Sequence, residues 1–136
     1  MLSKRTFYIL SLTWGIGLTV IGFIASIFVS ALGCKPTANQ YGVVFVVGKN
    51  WGGLSLGPIM FVSENPTEYV LNHEFGHSIQ NCYFGPFMIL FSLFSVVRYW
   101  YRKFIKLTKP NKKLPPYDSM WLEGMATSIG NKYASK

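Results

Sequence analysis

Acidic residues are scarce in this chain. Against 13 Lys and Arg, its 136 residues carry five Asp and Glu, two histidines and two cysteines. Each scarcity closes off some chemistry. Cys34 and Cys82 stand far apart with no C-x-x-C spacing, so neither a cysteine-built zinc site nor a dithiol redox pair is available. The two thiols either bridge in an oxidising compartment or stay buried and reduced, and sequence leaves both open. Any site that needs a carboxylate must draw on Glu64, Glu68, Glu74, Asp118 or Glu123. At this length a single domain is the most the chain can build.

Charge is also absent from long stretches. Thr6 to Gly33 is a run of 28 residues without a charged side chain, rich in Ile, Leu, Val and Phe. At about 1.5 Å per residue it exceeds the roughly 30 Å hydrocarbon core of a bilayer, and it outruns the apolar region of a cleaved signal peptide. It predicts a single-pass transmembrane anchor over residues 1–35, leaving 36–136 as the working domain. Phe84 to Val97 is a second charge-free stretch, too short to span unless the aromatics beyond Arg98 are counted. Arg98 to Lys113 then collects seven of the cations behind the net charge of +8. Aromatics mixed with Lys and Arg belong at lipid headgroups, so 84–107 is expected to be an interfacial or re-entrant segment, or a buried helix beneath the site. The partner this charge predicts is a lipid bilayer, and no nucleic acid is expected. Lys4 and Arg5 ahead of the first span favour an N-terminus inside and a working domain on the extracytoplasmic side, while the basic stretch from Arg98 argues for the reverse; the charges nearest the span end set the expectation of an extracytoplasmic domain.

What the chain does have is a concentration of its rare residues. Both histidines fall in one phrase, His73-Glu74-Phe75-Gly76-His77. Residues four apart on a helix lie one above the other, so both imidazoles can face a single ion. Glu74, one position on, sits beside such an ion and within reach of a water on it. A helix is expected here: Asn65-Pro66-Thr67-Glu68 reads as an N-cap, a proline at the first position and an acid at N3, and Tyr83-Phe84-Gly85-Pro86 reads as a stop. A catalytic zinc takes three protein ligands and leaves a position to water, so a third is needed. Glu64 and Glu68 suit the helix dipole at its start. Glu123 differs, because Asp118-Ser119 looks like an N-cap and Met120 to Tyr133 reads as a second helix with Glu123 one turn in.

The phrase resembles the glutamate-ligand zinc peptidases, or gluzincins, in which H-E-x-x-H is followed by a helix carrying E-x-x-A. The matching stretch is Glu123-Gly124-Met125-Ala126. It is also similar to short membrane-associated bacterial proteins that read H-E-x-G-H-x-x-Q, then G-P and an apolar segment, then an E-x-x-A helix; His73 to Gln80, Gly85-Pro86 and Glu123 to Ala126 match. The resemblance implies His73, His77 and Glu123 as zinc ligands and Glu74 as general base. Thr127 departs from the pattern, standing where many gluzincins carry an aspartate that orients a ligand histidine; a hydroxyl still accepts a hydrogen bond from an imidazole N–H.

Upstream, Tyr41 to Val47 and Leu54 to Val62 are β-branched and aromatic, and they read as the two arms of an antiparallel hairpin, with Pro58 forcing an edge or a bulge. The expected fold is therefore α+β and membrane-anchored: an N-terminal transmembrane helix, a small antiparallel β-hairpin or sheet, and the motif helix packed against a C-terminal helix. The expected activity is hydrolysis of peptides or proteins near the membrane by a zinc-activated water. Tyr83, Tyr117 and Tyr133 are unranked candidates for stabilising the oxyanion. The alternatives are a non-catalytic membrane protein with a structural zinc site, and a cationic membrane-interacting protein.

Overall fold

A proline has no N–H for a strand ladder, and Pro58 decides the shape of the sheet. In the computed structural model, which describes residues 1–135, Gly57 and Pro58 form the two-residue turn between β3 (Gly53–Leu56) and β4 (Ile59–Val62). Gly57 takes φ +66°, the positive value that such a glycine-led hairpin turn requires. A second hairpin joins β1 (Pro36–Asn39) to β2 (Gly42–Val46), and parallel pairing of β2 with β4 unites the two in the order β1-β2-β4-β3. The fold is thus α+β, with five helices and a small mixed sheet. The expected single antiparallel hairpin is corrected. Leu54 to Val62 folds back on itself at Gly57-Pro58, so its second half runs parallel to β2, with Val43 opposite Ile59, and its first half becomes the sheet edge.

The charge-free N-terminal run is not one helix. It is divided into α1 (Lys4–Leu12) and α2 (Ile16–Ala31), bent by 90°. The break is held by one side chain from elsewhere in the chain and one from α2 itself. Asn81 Nδ2 donates to the Gly15 carbonyl at 3.2 Å, and the Thr19 hydroxyl lies 2.7 Å from the Ser11 carbonyl. α1 then turns inward, and Phe7 joins Val44, Met60, Val62, Phe75 and Ile79 in the core between the sheet and the motif helix. α2 alone, 16 residues or about 24 Å, falls short of a hydrocarbon core. Among the described residues no single helix is long and apolar enough to cross a membrane, although the bent pair passes that test together. Gly17 and Gly22 pack under Ile89 and Leu56 of the same chain.

The motif helix α3 spans Glu68–Phe84, and its N-cap is Thr67, not Asn65: the Thr67 hydroxyl accepts from the Val70 N–H, while Asn65 sits at φ +53° in the approach. The apolar segment after Gly85-Pro86 is a single unbroken helix, α4 (Phe87–Thr108), with Met88 and Ile105 its only buried residues. The chain returns along it, tied by Arg98 to the Tyr117 carbonyl and by Arg102 to the Pro115 carbonyl. A 3-10 turn, Tyr117–Ser119, leads into α5 (Trp121–Ala134). α5 runs antiparallel to α3 at very close range. Gly76 faces the backbone of Ala126, and Gly130 faces the backbone of Asn72, with no room for a Cβ at either glycine.

Candidate metal centre

That close approach builds the site. α3 directs His73, Glu74 and His77 to one side, and α5 brings Glu123 to meet them. Both imidazole Nε2 atoms lie 3.1 Å from the same oxygen, Glu123 Oε2. The three ligand atoms all fall within 4.8 Å of one another, and Glu123 is wholly buried. Around a tetrahedral ion with bonds of about 2.0–2.1 Å, neighbouring ligand atoms sit about 3.3 Å apart, close to the 3.1 Å of the two histidine–Glu123 edges.

The far ring nitrogens decide what faces the triangle. His73 Nδ1 lies 2.9 Å from the Thr127 hydroxyl, which itself donates to the Glu123 carbonyl at 3.2 Å and therefore accepts from the ring. His77 Nδ1 lies 2.7 Å from Gln80 Oε1; the Gln80 amide nitrogen donates to the Leu122 carbonyl at 2.8 Å, which fixes that amide's orientation. With both Nδ1 atoms assigned as donors, both Nε2 atoms turn lone pairs toward a carboxylate oxygen. Three acceptors this close need a cation among them, and the group can hold a metal ion.

The charges agree. Burial works to raise the Glu123 carboxyl, but when a proton takes the place of a metal ion in the triangle, hydrogen bonds from the His73 and His77 rings, reinforced by Ser95, hold it well below the usual carboxylate range. Burial disfavours the cationic form of His77, yet in that proton-bound form the Glu123 hydrogen bond and the Glu74 charge raise its pKa. Glu74 stands outside the triangle. Its carboxylate accepts from the Ser55 hydroxyl on β3 at 2.8 Å, and Gly53 on the same strand leaves it room, since a Cβ there would lie 2.7 Å from the carboxyl carbon. Burial raises the Glu74 pKa, against the pull of His77, His73 and Ser55.

His73, Glu74 and His77 open onto a cavity of about 540 Å³ bounded by α3, the edge strand β3, α4 and Tyr117. This is the size of a small-molecule or peptide site. It also ranks the tyrosines. Tyr117 lines the cavity, and its hydroxyl is kept protonated by burial and by the facing carboxylates Glu123 and Glu74, with Arg98 opposing. Tyr133 is committed elsewhere, its hydroxyl bonded to the Leu2 N–H, and Tyr83 is exposed at the end of α3.

Three participants escaped the sequence reading. Ser95 on α4 donates to Glu123 Oε1 at 2.6 Å, Ser55 holds Glu74, and Tyr69 stacks on His73. None belongs to a motif. Gln80 was visible as part of the H-x-x-Q phrase, but its role needed the geometry. Gln80→Met and Ser95→Ala are each expected to weaken metal binding by about 10–100-fold while leaving all three ligands in place. Competition against a chelator measures this, and unchanged affinity in both variants would show that these contacts do not orient the ligands. Comparison of the chain with protein-family models, with curated proteins and with solved structures finds no match.

Proposed function

We propose that this chain is a zinc-dependent metallopeptidase of minimal size that works at a membrane. The observation that carries the reading is the convergence of two imidazole nitrogens and a carboxylate oxygen on one point, with a separate buried carboxylate, Glu74, beside them on a cavity wall. Two nitrogens and one oxygen in a compact triangle suit zinc, which when held there supplies Lewis acidity and an acidified water. The chain's own residues supply the rest. Glu74 takes a proton from the attacking water and delivers it to the departing amine. The Tyr117 hydroxyl donates toward the oxygen on which charge develops. Ser55 and Gly53 hold Glu74 in place from the strand side, and Thr127 and Gln80 hold the two rings from the helix side. A structural zinc site is closed over by its fourth ligand, whereas this triangle faces a cavity, which favours the catalytic reading. The charge-free α2 supplies the attachment to lipid, and the resemblance of the motifs to gluzincins supports the ligand set.

Elemental mass spectrometry of the full chain purified from metal-replete cells tests the reading. One zinc per chain is expected, lost in His73→Ala and in Glu123→Ala. A native chain without metal would refute it, and full zinc in Glu123→Ala would remove Glu123 from the ligand set.

A further inference from the structure

α4 has two faces of opposite character. Phe87, Leu90, Phe94, Val97, Tyr101 and Phe104 recur at alternating intervals of three and four, and each is between 56 and 65% exposed. They form one stripe about 26 Å long on the helix. The opposite side, through Met88, Ser92, Ser95 and Tyr99, lines the metal cavity. In water a surface helix turns its apolar stripe inward. Here the serines face in and the phenylalanines face out. α2 repeats the pattern beside it, with Val20, Phe23, Ile24, Ile27 and Phe28 all exposed, and the two helices meet where Gly17 packs under Ile89. A contiguous apolar surface of this extent does not stay uncovered.

We infer that the outer face of α4, together with that of α2, lies against a lipid bilayer whose anionic headgroups meet the cationic end of α4, making this helix a partition between lipid and the metal cavity. Charge selects the occupant. From Phe84 to Val97 there is no charged residue, while Arg98 to Lys113 holds seven cations and no acid. Arg98 and Arg102 are engaged with backbone carbonyls, and the lysines pair with no carboxylate among the described residues. Such an end attracts anionic lipid, whereas a second copy of the same face would bring like charges together. Trp100 and Tyr101 lie where the charge-free half gives way to the cationic half, and Lys103 stacks on the Trp100 ring, the arrangement of a headgroup boundary. Trp100 and Lys103 also line the cavity, so its mouth lies at headgroup level. This assignment stands whether or not the chain is a peptidase.

Spin labels on the full chain test it, in vesicles of phosphatidylcholine with phosphatidylglycerol and with Cys34→Ser and Cys82→Ala as background. Labels at Leu90→Cys and Phe94→Cys are expected to be accessible to oxygen and shielded from a nickel chelate, and a label at Ser92→Cys to lack that oxygen exposure. Nickel access at both outer positions would put the face in water, and spin–spin broadening that survives dilution with lipid would put a second copy there; either overturns the inference. Lys106→Gln, Lys109→Gln and Lys112→Gln together are expected to lower partition into the anionic vesicles by roughly a hundredfold, about fivefold per lysine. Unchanged partition would overturn the headgroup assignment.

Discussion

Glu74→Gln is expected to lower peptide hydrolysis by about 10²–10⁴-fold, the contribution of a positioned general base, with zinc content unchanged. The substitution isolates the proton-transfer role because the structure leaves everything else in place. Glutamine has the shape of glutamate, its carbonyl oxygen still accepts from Ser55, and the space opposite Gly53 admits either head group. Glu74 is no part of the His73, His77 and Glu123 triangle, so the ligands are untouched. Loss of a charge whose burial already raises its pKa removes a desolvation penalty, so the fold should not weaken. Hydrolysis of a fluorogenic peptide library, read beside the metal content of the same preparation, is the measurement. A glutamine variant as active as the native chain would leave the metal with a structural role only.

The second large effect is expected at the helix crossing. Gly76→Ala and Gly130→Ala each place a methyl group on the backbone of the facing helix, at Ala126 and at Asn72 respectively. A flexible side chain swings away from such an intrusion, but a carbonyl in the middle of a helix does not. The relief must come from separating α3 from α5, so the penalty belongs at the upper end of overpacking, about 3 kcal/mol or more. That is a large share of the roughly 5–15 kcal/mol available to a domain of this kind. The same separation withdraws Glu123 from the histidines, so zinc affinity should fall with stability. Thermal unfolding and chelator competition on both variants measure the two losses. Native zinc affinity in both would mean that the crossing is not what sets the ligand triangle.

The candidate site was legible in sequence because its residues are concentrated. Only two histidines exist, and their spacing, the short supply of carboxylates and the resemblance to gluzincins pointed to His73, Glu74, His77 and Glu123, which the fold brings together. The two helices that carry them were legible too, from Tyr83-Phe84-Gly85-Pro86 as a stop and Asp118-Ser119 as a start, although the caps fall at Thr67 and Met120. The sheet was not. A β-rich run such as Leu54 to Val62 has the same composition whether it is one strand or two folded together, and the weight given to Pro58 as a bulge missed the turn it makes with Gly57. The N-terminal run reads as one helix and folds as two, because the contact made at its break comes from Asn81, far along the chain. Ser95 and Ser55 were silent because a serine that holds a carboxylate looks like any other serine.

The ligand triangle has a topological consequence as well. His77 and Glu123 are 46 residues apart in sequence, and the whole of α4 and its return segment lies between them. An ion gripped by both is a cross-link that closes this loop, and by the chain-entropy argument used for disulfides it removes about 4 kcal/mol of freedom from the unfolded ensemble. In a chain with a small core and no disulfide among its described residues, that staple is comparable with the net stability of a small domain. The element it fastens buries only Met88 and Ile105 of its 22 residues. The proposed metal site would thus also be the clasp that keeps α4 attached to the protein.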